Sequence, residues 1–511
     1  MTGAECVLRT LAGSGVDACF ANPGTSEMHL VSALDRVSEV RPILTLFEGV
    51  ASGAADGYGR MAGRPAATLL HLGPGLGNAF ANLHNAYKAR TPVVNVVGDH
   101  AVMHRPLGAP LASDIESVAR PVSDWLRTTR DARTAATDAA EAVAAAREGA
   151  IATLIVPADA GWEDGAGAAA PVASRPRPPV PDEAVEAAAR ALRSGEPAAI
   201  LIGGPLVHGA GLRAAARIAA HTGAELLHDT FAPRVERGRG VPTARPLPYL
   251  TAVATAALQG LAHLVTAGTH APVGFFAYPD LPSRLAAPHT AVDVLATPRE
   301  DGAAALEALA DVLGAPPLPE RPPAPAPAPP AGALTPETLG LAVAATLPER
   351  AIVVDESVTA SAAIVPALAT AAAHDWLPVT GGSIGFGLPA ATGAAVACPD
   401  RPVLCLEGDG SAMYTIQSLW TQARENLDVT NVILANRSYA ILEFEMQRVG
   451  ATLGAAANDL FDIARPDLDF VAMAASMGVP GRRVTDAGEL AAALRESFAE
   501  PGPHLVEAQL G

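Results

Sequence analysis

Two proline-dense segments limit what this chain can fold into. Pro171 to Pro181 (PVASRPRPPVP) and Pro316 to Pro330 (PPLPERPPAPAPAPP) concentrate a residue that lacks a main-chain N–H and disrupts both helices and central strands. Both stretches therefore run as extended connectors. They divide the 511 residues into an N-terminal block at 1–170, a central block at 183–315, a Pro/Ala linker at 316–334 and a C-terminal block at 335–511. Each block has the size of one domain.

Inside every block, short β-branched runs alternate with Ala-rich helical stretches. Pro42–Phe47, Ala67–His71, Val93–Val97 and Ile151–Val156 read as strands in the first block, and Ala198–Ile202 in the second. Ala351–Val354, Val403–Leu406 and Val429–Leu434 read as strands in the third. Apolar runs this short, bounded by glycine and followed by helices, fit parallel strands covered on both faces. The expected fold class is α/β, with three doubly wound parallel-sheet domains whose ligands sit at the carboxyl ends of strands.

Composition narrows the partners. The 35 Lys+Arg set against 53 Asp+Glu leave a formal charge of −18, which argues against nucleic acid and anionic membrane surfaces. Cys6, Cys19, Cys398 and Cys405 form no C-x-x-C and have no neighbouring histidine cluster, so neither a zinc site nor a disulfide framework is expected. Glu5, Arg9 and Asp17 interrupt any apolar leader, and no apolar run reaches the roughly 18 residues of a membrane span. A cytoplasmic protein is expected.

The richest segment runs from Val403 to Leu442. A strand ending at Leu406 is followed by Gly408-Asp409-Gly410-Ser411, and the strand Val429–Leu434 ends in Ala435-Asn436-Arg437-Ser438, with Thr415 to Glu425 as the crossover helix. Asp409 and Asn436 then stand at the ends of two parallel strands, where both oxygens can face one ion. Mg²⁺ takes about six oxygens, commonly one or two carboxylates plus phosphates and water. Asp409 would offer its carboxylate, Asn436 its amide oxygen and Ser438 its main-chain carbonyl. Gly408 and Gly410 let phosphate oxygens approach the N–H groups at the helix start beside Ser411. A plain strand-turn-helix is the other reading of GDG alone.

GDGS followed about 24 residues later by an asparagine after an apolar strand resembles the thiamine diphosphate (ThDP) motif. The sequence is similar to the ThDP-dependent 2-oxo acid decarboxylase and acetolactate synthase family. The run from Pro399 through Leu404 and Leu406 to Ser411 fits that family's signature, with two departures: Thr392 where an apolar residue is usual, and Ala435 for the first Asn of an NN pair. The resemblance implies ThDP and Mg²⁺ as cofactors. Glu48, in a stretch similar to the family's E-x8-G-Y-x-R (Gly57, Tyr58, Arg60), is the implied carboxylate for the pyrimidine ring. In the family this glutamate acts on a cofactor held by another subunit, so a homodimer or homotetramer with sites between subunits is implied.

Further segments match. Gly381 to Pro389 looks like the loop that accepts the aminopyrimidine, with the Gly382 carbonyl as acceptor and Ile384 as an apolar wedge. Ser357 and Thr359 match the position whose hydroxyls meet the diphosphate; a helix N-cap is the other reading. Asn22 to Glu27 resembles a benzoylformate decarboxylase loop in which Thr25 would bind the substrate carboxylate, and His71 falls where those enzymes carry a proton-handling histidine. Ala277 stands where they carry a second one; His100 and His104 could substitute. The resemblance thus implies decarboxylation of a 2-oxo acid with carboligation of the enamine to a second carbonyl compound, as in acetolactate synthases. A benzoylformate decarboxylase-like lyase that releases an aldehyde, or a non-catalytic ThDP-binding relative, is the alternative. FAD is not expected, since Gly203-Gly204 in the compact central block is too little for a flavin site.

Overall fold

The computed structural model describes residues 1–319 and 324–510. Positions 320–323 of the expected linker at 316–334 lie outside the described residues.

The first sheet contains β1 (Ala18–Asn22), β2 (Arg41–Leu44), β3 (Ala66–Leu70), β4 (Val93–Asp99), β5 (Trp125–Thr128) and β6 (Ile151–Pro157). All its pairings are parallel, in the order β2-β1-β3-β4-β6-β5. Every residue of β4 and β6 is buried, as strands between two helical layers must be. Along β4 the side chains alternate between layers: Val94 and Val96 join Leu11 and Val143 on one face, while Val93 and Val97 join Leu76 and Leu83 on the other.

The central segment supplies β7 (Ala198–Ile202), β8 (Glu225–His228), β9 (Val235–Arg237), β10 (Arg245–Pro246), β11 (His263–Ala267) and β12 (Ala291–Ala296). Five of these form a parallel sheet ordered β10-β8-β7-β11-β12. The sixth, β9, leaves it. β9 pairs antiparallel with the edge of the third sheet, which is built from β13 (Ile352–Glu356), β14 (His374–Pro378), β15 (Val403–Gly408), β16 (Val429–Ala435), β17 (Gly481–Val484) and β18 (His504–Gln509) in the order β17-β18-β16-β15-β13-β14-β9. The three doubly wound sheets are thus present, and the third gains one antiparallel strand that covers an otherwise open edge. Val235 lies opposite Trp376, the Arg237 guanidinium sits 5.2 Å over that indole, and Arg234 pairs with Asp375 at 2.7 Å.

The first and third units meet through two helices, Glu48–Ala62 and Gly387–Ala397. Their backbones cross at glycine: a methyl group on Gly57 would overlap the carbonyl of Ala390, and one on Gly393 would overlap that of Ala54. Arg60 fastens the junction. It pairs with Asp56 at 2.6 Å, donates to the carbonyls of Pro378 and Pro233 and to the Thr380 hydroxyl, and lies 4.6 Å over the Phe386 ring. One buried guanidinium thereby touches all three units. Among the described residues no helix is long and apolar enough to cross a membrane, and the four cysteines are unpaired.

Candidate active site

The carboxyl ends of β13, β15 and β16 open on a pocket of about 290 Å³. It brings together Ser357 and Thr359 after β13, Gly408 to Ser411 after β15, Asn436 and Ser438 after β16, and Ile384 from the loop before the helix Gly387–Ala397. Gly382, named with them from the sequence, is not in the lining. It stands two residues from Ile384 at φ +77, and a methyl there would lie 2.9 Å from Cζ of Phe275.

Asp409 is buried, and its oxygens accept from the main-chain N–H of Gly410 at 2.8 Å and of Arg437 at 2.6 Å. No Lys or Arg side chain among the described residues pairs with it, and burial pushes its carboxyl above the ordinary aspartate range. The Asn436 amide oxygen accepts from Ser438 N–H at 3.1 Å, and the Ser438 hydroxyl donates to Glu443 at 2.7 Å. A buried carboxylate without a countercharge, next to an amide oxygen and a glycine-rich helix start, is a donor set of the kind a hard divalent cation and a diphosphate complete. The Ser357 hydroxyl is directed elsewhere: it donates to Asp355 at 2.6 Å, and its main-chain N–H does so too, at 2.9 Å. That leaves Thr359 as the one of the two hydroxyls free to donate into the pocket.

Among the described residues, none before Pro336 lines this pocket. Glu48, His71 and Thr25 form a second cluster, at the carboxyl ends of the neighbouring strands β2, β3 and β1. Glu48 is buried at the start of its helix, and its Oε2 accepts from Asn78 at 3.0 Å. Gly75 separates Glu48 from His71: a methyl group there would lie 3.0 Å from Glu48 Oε1 and 3.2 Å from His71 Cβ. His71 Nδ1 is 2.8 Å from Oε2 of Glu27 and 3.3 Å from Ser26 Oγ. Glu27 is fully buried and also accepts from Gly24 N–H at 2.9 Å, and its Oε1 has no partner among the described residues. Thr25 is exposed on the same turn.

Sequence reasoning passed over Glu27, Asn78 and Glu356. Glu27 closes the Asn22–Glu27 loop, but a carboxylate three residues after a turn glycine looks like a cap; only the fold brings His71 to it. His100 and His104 have rings 5.5 Å apart, with His100 Nε2 buried and without a partner among the described residues. Ala277 is exposed between Phe276 and Tyr278, whose hydroxyl donates to Glu445 at 2.8 Å. In the central sheet the space over Gly203 is taken by Asp229 and Thr269, which bond each other at 2.7 Å.

Residues 1–117 match the thiamine pyrophosphate enzyme N-terminal TPP binding domain, and residues 358–508 match the C-terminal TPP binding domain. Over 511 residues the chain is 57% identical to the "Putative acetolactate synthase large subunit IlvX" of Mycobacterium tuberculosis, covering 99% of this chain and 98% of that one. The chain belongs to the thiamine diphosphate enzyme family. It is also 31% identical to the benzoylformate decarboxylase of Pseudomonas aeruginosa over 525 aligned residues, covering 96% of each chain. The fold of the Rhodococcus jostii thiamine diphosphate-dependent 4-hydroxybenzoylformate decarboxylase superposes with a TM-score of 0.87, covering 100% of this chain and 99% of that one at 24% identity. This is a thiamine diphosphate-dependent enzyme, related to both acetolactate synthases and benzoylformate decarboxylases.

Proposed function

We propose that the chain is a ThDP- and Mg²⁺-dependent enzyme that removes CO₂ from a 2-oxo acid and joins the remainder to a second carbonyl compound. The observation that carries this reading is the single pocket uniting Asp409, Asn436, the Gly408–Ser411 turn and Ile384. Asp409, Asn436 and the Ser438 carbonyl would hold Mg²⁺. The N–H groups around Gly410 and Ser411, with the Thr359 hydroxyl, would hold the diphosphate; Gly382 and Ile384 would seat the rings. When bound, ThDP supplies the carbon nucleophile and the electron sink that decarboxylation requires.

Glu48 would hydrogen-bond the pyrimidine ring of a cofactor seated on another chain. The pocket of one chain contains nothing from the first unit, which supports sites between subunits of a homodimer or homotetramer. Asn78 orients Glu48 through Oε2, leaving Oε1 beside Gly75. Thr25, at the open end of the same cluster, would take the substrate carboxylate.

A second reading, protonation to a free aldehyde, is favoured by one observation: Glu27 occupies Nδ1 of His71, which leaves Nε2 as the ring position able to carry a proton to substrate. Product analysis separates the two. The purified protein with ThDP and Mg²⁺, given pyruvate, benzoylformate or branched 2-oxo acids, should yield a coupled hydroxyketone or hydroxy-oxo acid by mass. Aldehyde alone would establish the second reading. Turnover undiminished after chelation of divalent metal, or in Glu48→Gln, would overturn both.

A further inference from the structure

The loop that would seat the cofactor rings is held by a carboxylate to which no role has yet been assigned. Glu356, at the last position of β13, is fully buried, and no Lys or Arg side chain among the described residues pairs with it. Its Oε1 accepts from Gly385 N–H at 3.0 Å, and its Oε2 from Phe386 and Gly387 N–H at 2.7 Å each. Glu407 lies directly opposite on β15 and is equally buried.

Side chains from outside the loop hold four more of its polar groups. Asn85 takes Gly381 and Ser383 N–H at 3.1 and 3.2 Å and donates to the Ser383 carbonyl at 2.8 Å; Asn82 and Thr415 donate to the Gly385 carbonyl at 3.0 and 3.1 Å. The carbonyls of Gly381, Gly382 and Ile384 accept no hydrogen bond among the described residues. Gly385 sits at φ +89, where a methyl group would lie 2.6 Å from Tyr414 Cβ.

Burying an ionisable carboxylate is costly, and the compensation in view is the neighbouring Glu407 carboxyl together with three N–H donors. A neutral cap could start the helix Gly387–Ala397 at lower cost. Two acceptor oxygens reaching three consecutive amides do more than start it, since they fix the direction in which the loop leaves the strand layer.

Building on the ThDP reading above, we propose that Glu356 is a positioning residue whose buried carboxylate presets the Gly381–Gly387 loop in its ring-accepting shape before cofactor arrives. Gly382 and Ile384 then meet the rings without the loop having to order first.

Amide hydrogen exchange on the cofactor-free full-length protein tests the presetting directly. Gly385, Phe386 and Gly387 should be protected without ThDP; exchange as fast as in an exposed loop until ThDP is added would overturn the proposal. Titration calorimetry with ThDP and Mg²⁺ tests the role of the side chain. Glu356→Gln should weaken binding by about tenfold, the loss expected when one acceptor oxygen facing an N–H becomes an amide NH₂, with faster exchange confined to residues 381–388. Wild-type affinity in that variant, or faster exchange spread over the whole third sheet, would overturn the proposal. If Glu356→Gln does not fold, Glu356→Asp, which keeps the carboxyl but withdraws it by one methylene, is read by the same two measurements. Wild-type protein that binds no ThDP would instead refute the ThDP reading, while the exchange protection would still report whether the loop is preset.

Discussion

Three non-glycine residues in the left-handed region stand at the edges of the two clusters. Leu72 follows His71, Val358 lies between Ser357 and Thr359, and Arg437 lies between Asn436 and Ser438, with φ of 51, 50 and 60°. Such a conformation costs on the order of 1–3 kcal/mol, most for a β-branched residue such as Val358, and persists where the surroundings over-determine it. Val358→Gly should relieve that strain, leaving thermal stability unchanged or higher by up to about 1 kcal/mol while ThDP binding weakens several-fold. A less stable variant with wild-type affinity in calorimetry would show that the strain serves folding alone. Glu48→Gln keeps the size and the Asn78 contact but removes the charge; it should lower kcat by about 10²–10⁴-fold while ThDP still binds. Asp409→Asn should raise the Mg²⁺ concentration for half-maximal ThDP binding by more than about tenfold, read by titration at fixed ThDP. Asp409, Asn436 and Glu48 could be singled out in advance because each ends or follows an apolar strand at a fixed spacing. Glu27 and Glu356 could not, because a carboxylate beside a turn is ordinary until its partner at a distant position is known.

At the scale of elements, the helix Glu48–Ala62 does two unrelated jobs. On the proposed function its first residue, Glu48, serves the site, and its last turn carries the staple between units. Arg60, legible in the sequence only as part of a spacing, has no contact with the pocket residues; it spends its donors on Asp56, Thr380 and two carbonyls. Arg60→Ala would leave Asp56 buried without its cation and should cost about 3–5 kcal/mol in urea unfolding, whereas replacing both partners by apolar residues of similar volume should cost far less. Equal losses in the two variants would mean that the ion pair is not what holds the junction. β14 shows the limit of reading elements by pattern. His374-Asp375-Trp376-Leu377-Pro378 carries polar residues and a proline where a strand should alternate, yet every one is buried. Asp375 is held by Arg234 and Arg401, and the Trp376 indole N–H by Asp355.

The molecule as a whole is joined by the passage of β9 from the central segment to the third sheet, and that junction buries two histidines. His228 and His374 are each lowered from 6.5 to about 4, chiefly by burial, with the Arg237 cation acting in the same direction. Between those values the unfolded chain binds more protons than the folded one, so stability is complete above about pH 6.5 and falls as pH drops toward 4. Each histidine should cost about 2 kcal/mol on going from pH 7 to 5, and His374→Gln should flatten that fall. A wild-type midpoint unchanged across the range would contradict the buried neutral state. The sequence by itself determined the alternation of strands and helices, the places where proline forbids regular structure, and the glycine, Asp409 and Asn436 positions at strand ends. These are local properties, written in spacing and periodicity. Only the tertiary structure decided that β9 crosses to another sheet, that Glu27 lies under His71 and that Glu356 holds the Gly385–Gly387 amides. The reason is physical: burial obliges each polar group to find a partner, but which distant group it finds depends on how the layers stack.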